Sequence, residues 1–309
     1  MRQHSVTALA GGVGAAKLLT GIVEQVEQED LAIIGNTGDD IELYNLHLSP
    51  DLDIVTYTLA GVVDEEKGWG IKCDTFHCLE ALRKLGEETW FAVGDMDLAT
   101  HIFRTVLLKQ GKKLSQVTAE IRRGFGLGVE ILPMTDDFFE TRILTAHGAF
   151  HFQEYLVKRQ ARDEVLGVEF VGADSAKPAV GVVEAVMNAE SVVVCPSNPI
   201  VSIGTILAVK GIREALRHSK ARKVAISPIV AGTPIKGPAG KLLRGLGLEV
   251  SAYSVAKLYA DFIDTFVLDV ADSEEKKRIE ALGVEVELTN TVMRTKEDKI
   301  NLARVALGV

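Results

Sequence analysis

The chain has 309 residues, 47% hydrophobic and 25% charged, a globular mix that excludes disorder and requires neither disulfides nor a structural metal to hold a core. Its 34 basic and 43 acidic residues give a net charge of −9, which excludes a general nucleic-acid binder because counterion release needs a basic face. Three scattered cysteines, Cys73, Cys78 and Cys195, form neither a disulfide framework nor a zinc site; no apolar run reaches the roughly 18 residues of a membrane span, and the polar N-terminus does not read as a signal peptide, so the expectation is a soluble cytoplasmic protein.

Val6 to Ala10 is a short apolar run followed at once by Gly11-Gly12-Val13-Gly14. Ala15 to about Gln28 has helical spacing, and Leu31 to Gly35 is a second apolar run. Strand, glycine turn, helix and strand make the first unit of an α/β fold with a doubly wound, mostly parallel sheet. Asp53 to Leu59 fits a strand or a short helix equally. Helices are expected over Cys78–Leu85, Leu98–Gly111 and Ser115–Arg123. Glu130–Met134, Glu140–Ala146 and Ala149–Phe152 read as short strands, so 113–170 is expected to be a smaller inserted α+β module. The core would then comprise 1–112 and 171–309. In its second part, Ser191–Cys195 and Lys223–Ser227 have the β-branched look of parallel strands buried on both faces. Ile203–Leu216 and Ala239–Leu246 supply helices, Phe266–Asp269 and Val284–Leu288 late strands, and Asp298–Leu307 a terminal helix.

Four loops carry candidate chemistry. Gly11, Gly12 and Gly14 let the backbone turn tightly before a helix N-terminus, which suits phosphate, with Lys17 one turn on. The loop is not a Walker A motif, and no acidic residue ends the second strand to grip a ribose. Asn36-Thr37-Gly38-Asp39-Asp40 follows the second strand; its paired carboxylates beside a phosphate loop suit magnesium. Pro196-Ser197-Asn198-Pro199 reads equally as a nucleotide contact and as a turn with Ser197 as a cap. Lys236, after Ser227-Pro228, is either a phosphate contact or a solvated lysine. His147 and His151 share a strand face but lack further metal ligands. Trp69 and Trp90 read as core packing.

The chain resembles the 2-phospho-L-lactate transferases of the CofD family. The resemblance is carried by the glycine loop, Asn36–Asp40, Trp90-Phe91-x-x-Gly94-Asp95-x-Asp97-Leu98-Ala99-Thr100-His101, Pro196–Pro199 and Ser227–Ala239. It implies a Rossmann-like core, a homodimer and a need for Mg2+. The implied reaction transfers a 2-phospholactyl group from lactyl-2-diphospho-5′-guanosine to the deazaflavin Fo, giving coenzyme F-420-0 and GMP; bacterial relatives use a phosphoenolpyruvyl donor. Under this resemblance Gly11, Gly12, Gly14, Lys17, Asn36, Ser197, Asn198 and Lys236 would contact the guanosine-diphosphate donor. Asp39 and Asp40 would hold the metal, with Asp40 serving catalysis. Asp51 would grip the Fo ribityl hydroxyls as candidate general base, and Trp90 would meet the deazaflavin ring. The competing reading is a nucleotide-sugar-binding regulator with the same glycine and double-aspartate loops; the Trp90-to-His101 motif favours the transferase. Spacing does not separate lactyl from enolpyruvyl donors.

Overall fold

The computed structural model describes residues 4–309. All five residues of β1 (Val6–Ala10) are buried, and the chain turns directly into α1 (Gly12–Ile22). β2 (Leu31–Gly35) lies parallel to β1, Val6 opposite Leu31 and Ala10 opposite Gly35. A hairpin of β3 (Ile41–Leu43) and β4 (Leu46–Leu48) turns through Tyr44 and Asn45, both left-handed with φ of 54° and 59°, as a two-residue primed turn requires. The segment that fitted strand or helix is helix α2 (Pro50–Leu59): Pro50 starts it, and Asp51 and Asp53 sit in its first turn, where fixed φ and negative charge favour a helix.

α3 (His77–Lys84) and α4 (Asp95–Lys109) follow, then α5 (Leu114–Gly124), which packs on β5 (Glu130–Pro133). β5 is the outer strand of the central sheet, parallel to β2. The segment expected as one inserted module therefore divides. Ile131 and Leu132 are consecutive buried residues, the pattern of a strand covered on both faces. β6 (Glu140–Thr145) instead alternates buried and half-buried positions, as a one-sided antiparallel strand does. β6 pairs with β7 (Gly148–His151) and β8 (Gly167–Val171) in a three-stranded antiparallel sheet. Residues 113–133 belong with the central sheet, and the small sheet occupies 140–171.

The α/β alternation resumes with α6 (Val182–Asn188), β9 (Ser191–Val194), α7 (Ile203–Ala208), α8 (Ile212–His218) and β10 (Arg222–Ile226). The single helix expected over Ile203–Leu216 is two, broken before Gly211 at φ 100°. A small hairpin, β11 (Ile229–Val230) with β12 (Thr233–Pro234), precedes α9 (Ala239–Gly245) and α10 (Ala252–Tyr259). β13 (Thr265–Asp269), α11 (Lys276–Glu280), β14 (Glu285–Thr289) and α12 (Lys296–Leu307) complete the chain.

Seven parallel strands lie in the order β5-β2-β1-β9-β10-β13-β14. Val6, Ala8 and Ala10 of β1 pack with α1, α2 and α12, whereas Leu9 faces α6, α7, α8 and α10. This is the doubly wound architecture the sequence predicts. Strand order reverses between β1 and β9, so the carboxyl ends of those two strands border the crevice where such sheets bind ligands. No helix among the described residues is long and apolar enough to cross a membrane.

Candidate active site

The loops after β1 and β9 meet at that crevice. Gly11 N–H donates to Ser197 Oγ at 3.3 Å. A Cβ at Gly14 would collide with the Pro196 carbonyl, and one at Gly11 would lie 2.6 Å from Ser202 Cβ and 2.8 Å from Asp51 Oδ2. Gly11 and Gly14 thus permit close packing of α1 against neighbouring loops. Asn198 Oδ1 accepts the Ile200 and Val201 N–H groups at 3.0 and 3.3 Å, bracing its own loop.

Asn36, fully buried at the end of β2, is the hub. Its Nδ2 donates to Asp39 Oδ1 at 2.8 Å, Asp51 Oδ2 at 2.9 Å and Val201 O at 3.3 Å. Its Oδ1 accepts Gly38 N–H at 2.8 Å and Thr205 Oγ1 at 2.7 Å. Asp51, near the start of α2, also accepts the Gly12 N–H, and burial with the charge of Asp40 pushes its carboxyl up to about 7 against those two hydrogen bonds. Asp39 is driven well above the usual carboxylate range by burial, then by Asp51 and Asp40. Its second oxygen accepts Gln153 Nε2 at 2.7 Å.

Asp40 differs. Its Oδ2 accepts Ser49 Oγ at 2.6 Å and His47 Nε2 at 3.0 Å, while its Oδ1 is buried without a partner. His151 Nε2 donates to the Asp40 carbonyl at 3.0 Å and its Nδ1 accepts the Gln153 N–H at 3.1 Å. Burial pushes the pKa of His151 down. His151 and Gln153, at the end of the small sheet, thereby clamp the double-aspartate turn. Among the described residues no group of three or more His, Cys, Asp or Glu is arranged to hold a metal. Magnesium commonly takes one or two carboxylates and completes its shell with water and substrate phosphate. Asp40 Oδ1 fits that role; both Asp39 oxygens are already taken by amides.

Lys17 and Lys236 supply the opposite charge. Among the described residues neither ammonium has an ion-pair or hydrogen-bond partner, and burial together with the charge of Lys17 pushes the Lys236 pKa down. Lys236 reaches the start of α1 beside loop 64–70: a Cβ at Gly68 would lie 2.8 Å from Lys236 Nζ and 3.8 Å from Val13 Cγ1. Among the described residues no carboxylate pairs with either lysine, which suits an anion.

The Trp90-to-His101 motif is mostly scaffold. Asp95 takes the His77 and Cys78 N–H groups at the start of α3. Asp97 accepts Tyr57 Oη at 2.7 Å, and His101 lies 3.4 Å from Asp97 and 3.7 Å from Asp53. Arg104, 1% exposed, makes a two-pronged pair with Asp53 on α2. Thr105 Oγ1 accepts His47 N–H at 2.8 Å. α4 therefore fixes both the helix carrying Asp51 and the hairpin carrying His47. Sequence reading missed Arg104, Tyr57, Gln153 and Thr205; the signal for the first was a polar face at positions 97, 101 and 104 of one helix.

Trp90 is half-buried, edge-on to Phe91 at 5.7 Å with Lys158 Nζ 6.0 Å from its ring centre. Trp69 is 41% exposed, so core packing does not describe it: its loop leaves the indole at the surface.

A family model described as "2-phospho-L-lactate transferase CofD" matches residues 6–305. A phosphoenolpyruvate transferase of Kitasatospora aureofaciens is 44% identical, covering 98% of this chain and 97% of that protein. A 2-phospho-L-lactate transferase of Methanocaldococcus jannaschii is 42% identical, covering 97% and 96%. The crystal structure of a UPF0052-family protein from Bacillus halodurans superposes with a TM-score of 0.65 at 15% identity, covering 99% of each chain, a likeness of fold. With the family model spanning nearly every residue and relatives above 40% identity along the whole length, this chain belongs to the CofD family of 2-phospho-L-lactate transferases.

Proposed function

We propose that the chain transfers a 2-phospholactyl group from lactyl-2-diphospho-5′-guanosine to the ribityl hydroxyl of Fo, yielding coenzyme F-420-0 and GMP. The observation that carries this reading is Asp51, a buried carboxyl held at about 7 against the Gly12 N–H, where a general base for a hydroxyl at a phosphate site belongs. Asp51 takes the proton of the acceptor hydroxyl as its oxygen bonds to the phosphorus nearer the lactyl group. The bond from that phosphorus to the bridging oxygen breaks, and GMP leaves with the electron pair. Lys17 and Lys236 hold the diphosphate and screen the charge that gathers on it. Asn36 orients Asp51 and Asp39 together. Asp40 Oδ1 would hold Mg2+; the ion, when bound, neutralises phosphate charge and favours GMP as leaving group.

Relatives named for phosphoenolpyruvate and for 2-phospho-L-lactate are about equally similar to this chain, which supports the enolpyruvyl donor as the alternative. A homodimer is part of the proposal, supported by the exposed apolar side of α4 formed by Met96, Ile102, Phe103 and Val106. Exposed free thiols at Cys73 and Cys78 suit a reducing cytoplasm. The test is incubation with Fo, Mg2+ and each guanosine donor in turn, scored by GMP release and a phosphodiester-linked deazaflavin. Product with either donor is expected, and the better donor decides between the two forms. GMP release without a deazaflavin product, or no reaction with either donor, would overturn the proposal.

A further inference from the structure

An aromatic surface outside the carboxylate cluster stands on the loop that packs against Lys236. Trp69 lies between Gly68 and Gly70, both left-handed with φ of 73° and 69°. Its loop is pinned: Asp64 N–H donates to Gly70 O, Gly68 N–H to Asp64 O, and the Asp64 carboxylate accepts the Glu66 and Lys67 N–H groups. The indole meets Phe76 edge-on at 6.4 Å, and Lys67 Nζ lies 5.8 and 5.4 Å from the two ring centres. Gly68, the neighbouring residue, is the one packed against Lys236 and Val13. Leaving a large apolar ring in water is costly, yet this loop is braced in a way that keeps it there. The braced ring stands one residue from Gly68, which packs against the exposed Lys236 ammonium.

We propose that Trp69, backed by Phe76, is a stacking platform for a planar heteroaromatic ring of a substrate bound beside the phosphate held at Lys17 and Lys236. The inference rests on the transferase reading, in which both substrates have such a ring, guanine on the donor and deazaflavin on the acceptor. Stacking is tolerant of ring identity, since every such ring has a π-face.

Calorimetric titration of wild type, Trp69→Phe and Trp69→Ala with guanosine diphosphate, Fo and inorganic pyrophosphate tests the platform. Trp69→Ala should weaken guanosine diphosphate or Fo by about tenfold or more, Trp69→Phe should keep most of the affinity, and pyrophosphate should bind all three alike. Loss for guanosine diphosphate identifies guanine as the ring; loss for Fo identifies the deazaflavin. Unchanged binding of both ligands to Trp69→Ala overturns the platform. A parallel loss of pyrophosphate also overturns it, because the loop then only supports Lys236. If wild type binds pyrophosphate but neither ring-bearing ligand, the transferase reading fails and the platform falls with it.

Discussion

Replacing Asp51 by asparagine separates its electrostatic role from its chemical one. Burial holds the Asp51 carboxyl at about 7 in the folded protein, against an ordinary value of 3.8. Because the folded value is the higher one, folding takes up a proton between those two pH values. The stability this group contributes is full below pH 3.8 and is lost as pH rises through about 7. At about 1.4 kcal/mol per pKa unit the loss is about 4 kcal/mol. Asp51→Asn removes that dependence. It also leaves either Asn36 Nδ2 or the Gly12 N–H facing an amide, costing about 1–3 kcal/mol at every pH. The variant-minus-wild-type stability should therefore shift by about 4 kcal/mol in favour of asparagine between pH 4 and pH 8. With an unfolding entropy of about 2.1 cal/mol/K per residue over this length, that is a relative Tm shift of about 6 °C. Relief of like-charge repulsion on Asp39 acts in the same direction. In the transfer assay wild-type kcat/KM should fall below about pH 7, and the variant should lose about 10²–10⁴-fold in turnover. An equal Tm difference at pH 4 and pH 8 would refute the electrostatic argument. A persisting Tm shift with unimpaired turnover would refute only the role as base.

Asp40→Asn should lower turnover at limiting Mg2+ with little change in Tm, and chelation of divalent ions should silence the wild type; full variant activity at limiting Mg2+ would remove the metal from Asp40. Lys236→Ala should weaken guanosine diphosphate measured by calorimetry by about tenfold, and raising salt should narrow the gap between variant and wild type; a salt-independent gap would point to packing instead of charge. Arg104→Leu leaves Asp53 buried without its guanidinium partner, with only His101 at 3.7 Å, so urea unfolding should show a loss of about 3–5 kcal/mol. The double variant Arg104→Leu with Asp53→Leu should recover much of it, and no recovery would mean that the pair is not the unit of stability.

The central sheet was readable because its strands are buried on both faces: Ser191–Val194 and Arg222–Ile226 are runs that only a parallel core strand explains. Glu130–Pro133 was placed in the wrong company because four residues carry no record of which sheet they join; only the following alternation in Glu140–Thr145 marks where one-sided burial begins. α6 was missed since Val182-Val183 is β-branched and the helix is only 7 residues long. Within the site, the glycine loop and Asn36–Asp40 were visible as local motifs beside strand ends. Their couplings were not. Gln153 reaches Asp39 across 114 positions and Thr205 reaches Asn36 across 169; such contacts are set by topology and leave no spacing to read. Trp69 was misjudged for the same reason, because exposure of a loop indole depends on what does not cover it.

The charge arrangement ties the motifs together. Three carboxylates, Asp39, Asp40 and Asp51, share one small volume at the crevice; among the described residues no Lys or Arg makes an ion pair or hydrogen bond with them, and Arg104 acts on Asp40 only through its charge. Unrelieved, such a cluster would repel the diphosphate of the proposed donor. The structure contains two forms of relief: Asp51 and Asp39 hold their protons to higher pH, and Asp40 keeps an oxygen open to a cation. Lys17 and Lys236 are left unpaired for the anion itself. Substrate binding and proton affinity are therefore coupled. A dianionic ligand at the lysines raises the proton affinity of Asp51 further, whereas a divalent cation at Asp40 lowers it and frees the base. In the proposed reaction a cation held at Asp40 would do more than screen the donor: its charge would favour the ionised Asp51 that the acceptor hydroxyl requires. The acid limb of kcat/KM should accordingly move to lower pH as Mg2+ is raised, and a limb fixed in pH across a Mg2+ titration would break that coupling.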